Sequence, residues 1–252
     1  MKHQLEWHLI EAGRTKRDAG AFFGEFPKCE WNKICISTNK KEESKEAYIL
    51  SRDNQIVVAT NVVLIKTEED ILLIDTGTPV MPDYSQWTGS HLRHKLSGYN
   101  ITFKEITKVI LTSPDMDHAG GIAHHDRSSN LIPTFPKATI YYHETESVRA
   151  RARSIPIADH SFEIWDKLDI HPVTSVEEIL PGLIVHPIEG PSFNGSIVEM
   201  KRGADRILFM SDLCPTLHHT NPDIIPAQDD APDQSSMERA RWIDKSIREG
   251  HM

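Results

Sequence analysis

Ser113-Pro114-Asp115-Met116-Asp117-His118-Ala119-Gly120-Gly121 decides how this chain is read. The stretch follows Lys108-Val109-Ile110-Leu111-Thr112, a β-branched, apolar run that reads as a strand, and the Gly120-Gly121 pair opens the next element. Asp115, Asp117 and His118 are residue types that hold divalent ions or carry protons. The same acids have a plainer use, because Asp and Ser also cap the unpaired N–H groups at a helix N-terminus.

Working outward, Ile56-Val57-Val58-Ala59-Thr60-Asn61-Val62-Val63-Leu64-Ile65 and Ile71-Leu72-Leu73-Ile74, separated by Thr67-Glu68-Glu69-Asp70, form a buried hairpin. The spacing predicts a helix from about Tyr84 to Leu96, stopped by Gly98, and another from Glu144 to Arg153. Further strands are expected over Ala138–Tyr142, Leu183–His186, Gly195–Met200 and Arg206–Met210. The Pro- and Asp-rich stretch Asn221–Ser236 reads as a long loop before a final helix near Met237–Arg248. At 252 residues the chain reads as one domain or two fused halves.

Lys+Arg 28 against Asp+Glu 37 gives a formal charge of -9, which argues against nucleic acid or an anionic membrane as partner and favours a small molecule. Cys29, Cys35 and Cys214 have no CxxC spacing, so neither a disulfide framework nor a thiolate zinc site is signalled. The polar start Met1-Lys2-His3-Gln4 lacks the apolar core of a secretory signal, and a cytoplasmic location is the expectation. His124, His125, His143 and His186 read as ordinary packed or surface imidazoles.

Asp75-Thr76-Gly77 after a strand, then Asp117-His118-Ala119-Gly120-Gly121, Gly195-Ser196 and Ser211-Asp212, in that order, resemble the metallo-β-lactamase superfamily. Phe22-Phe23-Gly24, Pro27-Lys28, Trp31, Pro133-Thr134-Phe135-Pro136 and Asp212-Leu213-Cys214-Pro215-Thr216 are similar to its lactonase-like branch, which includes acyl-homoserine-lactone hydrolases. The resemblance covers about Ala21 to Gly250 and implies an α/β fold, an αββα sandwich. It also implies a Thr-His-x-His-x-Asp-His loop, where this chain has Ser113 and Asp115 in place of two histidines. A third histidine belongs where Pro191 or Ser192 stands. A fourth belongs on a strand after the last helix, where the chain ends at Gly250-His251-Met252, so that strand is expected to be missing.

By this resemblance one metal site is dismantled, and the other keeps Asp117, His118 and Asp212, enough for one divalent ion with an open position. Asp115 joins the candidate ligands because an Asp at that position resembles the loop of the hydrolase domain of the competence channel protein. A carboxylate-rich set favours Mn²⁺, Fe²⁺ or Mg²⁺ relative to Zn²⁺. Asp117 and Asp212 are the candidate proton carriers, and Asp75, Ser113, Ser192 and His219 are the expected supporting residues. Two functions stay open: a one-metal hydrolase of a small ester or lactone, or a metal-free binding or regulatory module on the same fold. Homodimerisation is the expected cover for a face bared by a missing strand.

Overall fold

The computed structural model describes residues 5–37, 53–78, 90–144, 162–192 and 195–251. Strands β1 (Glu6–Asp18), β2 (Gln55–Lys66), β3 (Ile71–Ile74), β4 (Lys108–Leu111), β7 (Thr139–His143) and β8 (Asp169–Val173) form a six-stranded sheet in that order. The first three run antiparallel, and β3, β4, β7 and β8 run parallel. Between β4 and β7 the chain makes a two-stranded ribbon, β5 (Ala123–His125) and β6 (Leu131–Pro133). Strands β9 (Glu177–Leu180), β10 (Leu183–Ile188), β11 (Gly195–Arg202) and β12 (Asp205–Phe209) form a second, antiparallel sheet.

Alternation along the central strands fixes how the layers stack, because neighbouring side chains point to opposite faces. Val63, Ile65, Leu72, Ile74 and Ile110 face Val185, Val198 and Met200 of the second sheet. Val62, Leu64, Leu73, Val109 and Leu111 face the other way, onto Leu92 and Leu96 of helix α3 (Ser90–Ser97). The outer face of the second sheet packs Ile188 and Ile197 against Trp242 of helix α5 (Pro232–Glu249). The result is the αββα sandwich, and the near-continuous apolar runs of β2, β3 and β4 follow from burial on both faces.

Several elements depart from the sequence reading. Strand β1 was not anticipated, because Glu11, Arg14, Lys16, Arg17 and Asp18 give it the polarity of an edge strand. β8 was hidden by Pro172, which an edge strand tolerates. Helix α5 begins at Pro232 rather than Met237, since proline at the first helical position costs no hydrogen bond. Ser90 to Leu96 is helical, while 79–89 and the helix expected from Glu144 to Arg153 beyond its first residue lie outside the described residues. Among the described residues no helix is long and apolar enough to cross a membrane.

Leu72 is fully buried between the two sheets. Leu72→Ala is expected to destabilise the protein by about 2–5 kcal/mol, read as a lower urea midpoint at unchanged slope.

Candidate functional site

The functional loop hangs on a buried carboxylate. Asp75 follows β3 in the left-handed region, at φ 63, and is 1% exposed. Its Oδ1 accepts from the Thr112 backbone N–H at 2.8 Å, and its Oδ2 accepts from Thr112 Oγ1 at 2.7 Å and His118 Nδ1 at 2.9 Å. With its one proton given to Asp75, Thr112 Oγ1 accepts from Ser211 Oγ at 2.6 Å. Ser211 is also left-handed, at φ 48, and precedes Asp212. One carboxylate and one hydroxyl thus join the ends of β3 and β4, the short helix α4 (Met116–Ala119) and the turn Ser211–Leu213.

With Nδ1 occupied, His118 turns Nε2 toward two half-buried carboxylates, Asp212 Oδ2 at 3.1 Å and Asp117 Oδ1 at 3.8 Å. Burial pulls the His118 pKa down, but the charges of Asp212 and Asp75 outweigh it and hold the imidazole well above its usual value. Burial would raise Asp212, yet His118 and then Arg17 keep it low. Asp117 moves up, chiefly by burial with repulsion from Asp212 added, against the pull of His118 and Arg17. The two acids therefore differ: one is held ionised and the other is eased toward taking a proton.

Arg239 of α5 is fully buried and anchors the Asp212 turn, donating from Nε to Leu213 O at 2.5 Å and from Nη1 to Ile224 O at 2.6 Å. His143 holds the β11 entrance, its Nδ1 lying 3.0 Å from Gly195 O. Neither residue carried a sequence signal. Arg239 sits in an ordinary amphipathic helix, and His143 is one of many scattered histidines.

The remaining sequence candidates do not gather on Nε2. Asp115 is exposed, and its Oδ2 accepts from Ser113 Oγ at 2.7 Å, so these two acidic and hydroxyl groups satisfy each other. Asp115 stands at the N-cap of α4 in extended backbone, with Ser113 as its side-chain partner. Its side chain caps no helix N–H. Pro191 is buried, with its carbonyl accepting from Asp230 N, while Gly190 O accepts from Ala231 N. Ser192 O accepts from Gly195 N at 3.4 Å in the turn before β11. His219 is fully buried between Thr216 Oγ1 and Phe22 O, each 2.8 Å from a ring nitrogen, and stacks on Phe23. Burial pushes its pKa down to about 4.

His251 lies elsewhere. After the left-handed cap at Gly250 it makes a parallel bridge to Arg206 on β12, at the place where the strand was expected to be missing. Its Nε2 is 3.2 Å from Glu199 Oε1. Glu199, Glu249 and His251 bring ligand atoms within 4.8 Å of one another, a closer grouping than any other such set among the described residues, the Asp117–His118–Asp212 set included. Lys201 and Lys245 are 3.1 and 3.2 Å from Glu199 and Arg206 is 3.9 Å away, so its charge is already balanced by fixed cations. That cluster is a structural hub joining β11, β12 and α5.

A family model, the metallo-beta-lactamase superfamily, matches residues 56–245. The fold is similar to a probable metal-dependent hydrolase from Staphylococcus aureus, with 27% identity and TM-score 0.78 over 100% of this chain and 88% of that one. It is also similar to the B. thuringiensis protein AiiA, a mutant solved with N-decanoyl-L-homoserine at the active site (16%, TM-score 0.71, 100% and 92% covered). AidC, a dizinc quorum-quenching lactonase, aligns at 18% with TM-score 0.74, covering 97% and 84%. Comparison with curated proteins gives no match.

Thr112→Val is nearly isosteric but strands Asp75 and Ser211 without their shared hydroxyl. It is expected to cost about 1–3 kcal/mol by chemical denaturation, more than a surface Thr→Val. At the hub, burial opposes ionisation of Glu199, yet hydrogen bonds from His251, Lys201 and Lys245 bring its pKa down from 4.5 to about 2. The stabilisation from this depressed pKa is therefore full above pH 4.5 and is lost as pH falls through about 2. Thermal melts should show Glu199→Gln less stable than the parent at pH 7, with the gap narrowing across that window.

Proposed function

Because the chain belongs to the metallo-beta-lactamase superfamily, we propose that it is a metal-dependent hydrolase working with one divalent ion, Mn²⁺, Fe²⁺ or Zn²⁺, on a small ester or lactone. The observation that carries this reading is His118, whose Nδ1 is fixed by Asp75 while Nε2 points at Asp117 and Asp212. An imidazole that gives its other N–H to a carboxylate is oriented and made more basic for an ion. The donor set fits a hard or borderline divalent ion, with His118, Asp117 and Asp212 as the residues that would hold it.

A divalent ion there supplies Lewis-acid activation of water and of a carbonyl. The protein's own share is proton handling and orientation. Asp117, the carboxylate eased upward in pKa, takes the proton that water gives up and passes it to the leaving alkoxide. Asp212 stays ionised beside His118, and Arg239 keeps its turn in place.

The 3.1 Å contact between His118 Nε2 and Asp212 Oδ2 also supports a second reading, a metal-free binding module in which that pair is a closed ion pair. Metal analysis separates the two. After separate loading with Mn²⁺, Fe²⁺ and Zn²⁺ and desalting, about one equivalent is expected with at least one ion, reduced at least tenfold in Asp212→Ala. Less than a tenth of an equivalent with all three ions would favour the binding module. Hydrolysis of p-nitrophenyl esters and simple lactones should follow metal content and disappear in Asp117→Ala.

A further inference from the structure

We propose that Ser211 is a positioning residue: its hydroxyl, given to Thr112, holds the strained turn that sets Asp212 against His118. The proposal rests on the one-metal reading for what Asp212 does there, while its geometry stands on the backbone and on hydrogen bonds. Strand β12 ends at Phe209, Met210 follows in right-handed backbone, and Ser211 then turns left-handed at φ 48. A side chain crowds the neighbouring carbonyl in that region, so glycine is its usual occupant, with asparagine or aspartate next. The other non-glycine residues at positive φ among those described are Asn54, Asp75, Asn100 and Ser129. The first three are of the tolerant types, and Ser129 is exposed in the loop that Asp126 closes. Ser211 is instead a half-buried serine beside a functional carboxylate, and its hydroxyl is bonded.

Counting protons fixes the direction of each bond around that hydroxyl. Thr112 Oγ1 lies 2.9 and 2.7 Å from the two oxygens of Asp75, and a carboxylate only accepts. The single Thr112 proton is therefore spent, and Ser211 Oγ, 2.6 Å away, is the donor. His118 Nδ1 donates to Asp75 Oδ2 at 2.9 Å. Donation thus runs from Ser211 to Thr112 to Asp75, where it meets His118. One hydroxyl and one carboxylate connect Ser211 to the imidazole that Asp212 faces at 3.1 Å.

Asp212 stands between two clamps that come from different layers. On the residue after it, Arg239 of α5 donates to Leu213 O at 2.5 Å; on the residue before it, Ser211 reaches Thr112 at the end of β4. Helix α5 packs on the second sheet and β4 belongs to the first, so the turn is held from both. Its own backbone bonds, Leu213 N to Met210 O and Cys214 N to Ser211 O, are each 3.1 Å. Arg239 fixes the turn against its own sheet, and the Ser211 bond ties it to the segment that carries His118. Glycine at 211 would remove the strain together with the tie, and alanine would keep the strain without the tie. Serine accepts a costly backbone and gains one hydrogen bond, the pattern of strain retained where position matters to function.

Amide exchange of Leu213 and Cys214 in the metal-free protein, set beside urea unfolding, tests this without turnover. Ser211→Ala should speed exchange at both amides about fivefold, the worth of one hydrogen bond, and should add nothing further in a Thr112→Val background. Ser211→Gly should unfold at a higher urea midpoint than Ser211→Ala, because glycine fits φ 48 without strain. In Mn²⁺ titrations followed by electron paramagnetic resonance, both variants should bind on the order of tenfold more weakly than the parent. Affinity that follows stability, returning to the parent value in Ser211→Gly, would leave Ser211 a structural role alone and overturn the proposal. Unchanged exchange in Ser211→Ala overturns it too, as does an equal effect of Ser211→Ala with and without the Thr112 hydroxyl. If the parent takes up no ion, the metal reading fails by itself, and the exchange comparison still decides whether the Ser211 hydroxyl holds the turn.

Discussion

A buried, ionisable carboxylate is tolerable only when its oxygens are met by donors, and Asp75 is the group on which this structure turns. Its partners come from β4, from α4 and, through Thr112, from the turn before Asp212. Satisfying Asp75 therefore brings three separate chain segments to one point. The left-handed backbone at Asp75 and Ser211 is held there by the same bonds. Strain of this kind persists where the surroundings over-determine it, and here both strained residues flank the functional imidazole.

From that point the site divides into two unequal halves. On one side His118 Nε2 looks toward Asp117 and Asp212, with unmatched pKa directions that give the two acids different work. On the other, Ser113 and Asp115 bond to each other and Pro191 is locked against the segment leading into α5. Ser113 and Asp115 thus satisfy each other, while His118 keeps Nε2 facing two carboxylates.

The central strands were legible because burial on both faces writes them as unbroken apolar runs, as in Val62 to Ile65 and Ile71 to Ile74. The order of Asp75, Asp117–His118 and Asp212 likewise exposed the superfamily. Edge strands were not legible: β1 and β8 carry charges or proline that a solvent-facing strand accepts. Spacing says which residues share a loop but not how they pair, and Ser113 and Asp115 bond to each other. Nor does spacing show the two hydrogen bonds and the ring contact that hold His219. Arg239 was invisible for the opposite reason. Its role depends on long-range placement, a helix docking on a turn.

X-ray absorption on the metal-loaded protein tests the central claim most directly, because it reports ligand types and neighbouring metals together. The account predicts a single ion with one imidazole nitrogen, the remaining neighbours being oxygen, and no metal–metal vector. Two or more imidazoles, or a second metal within about 4 Å, would contradict it.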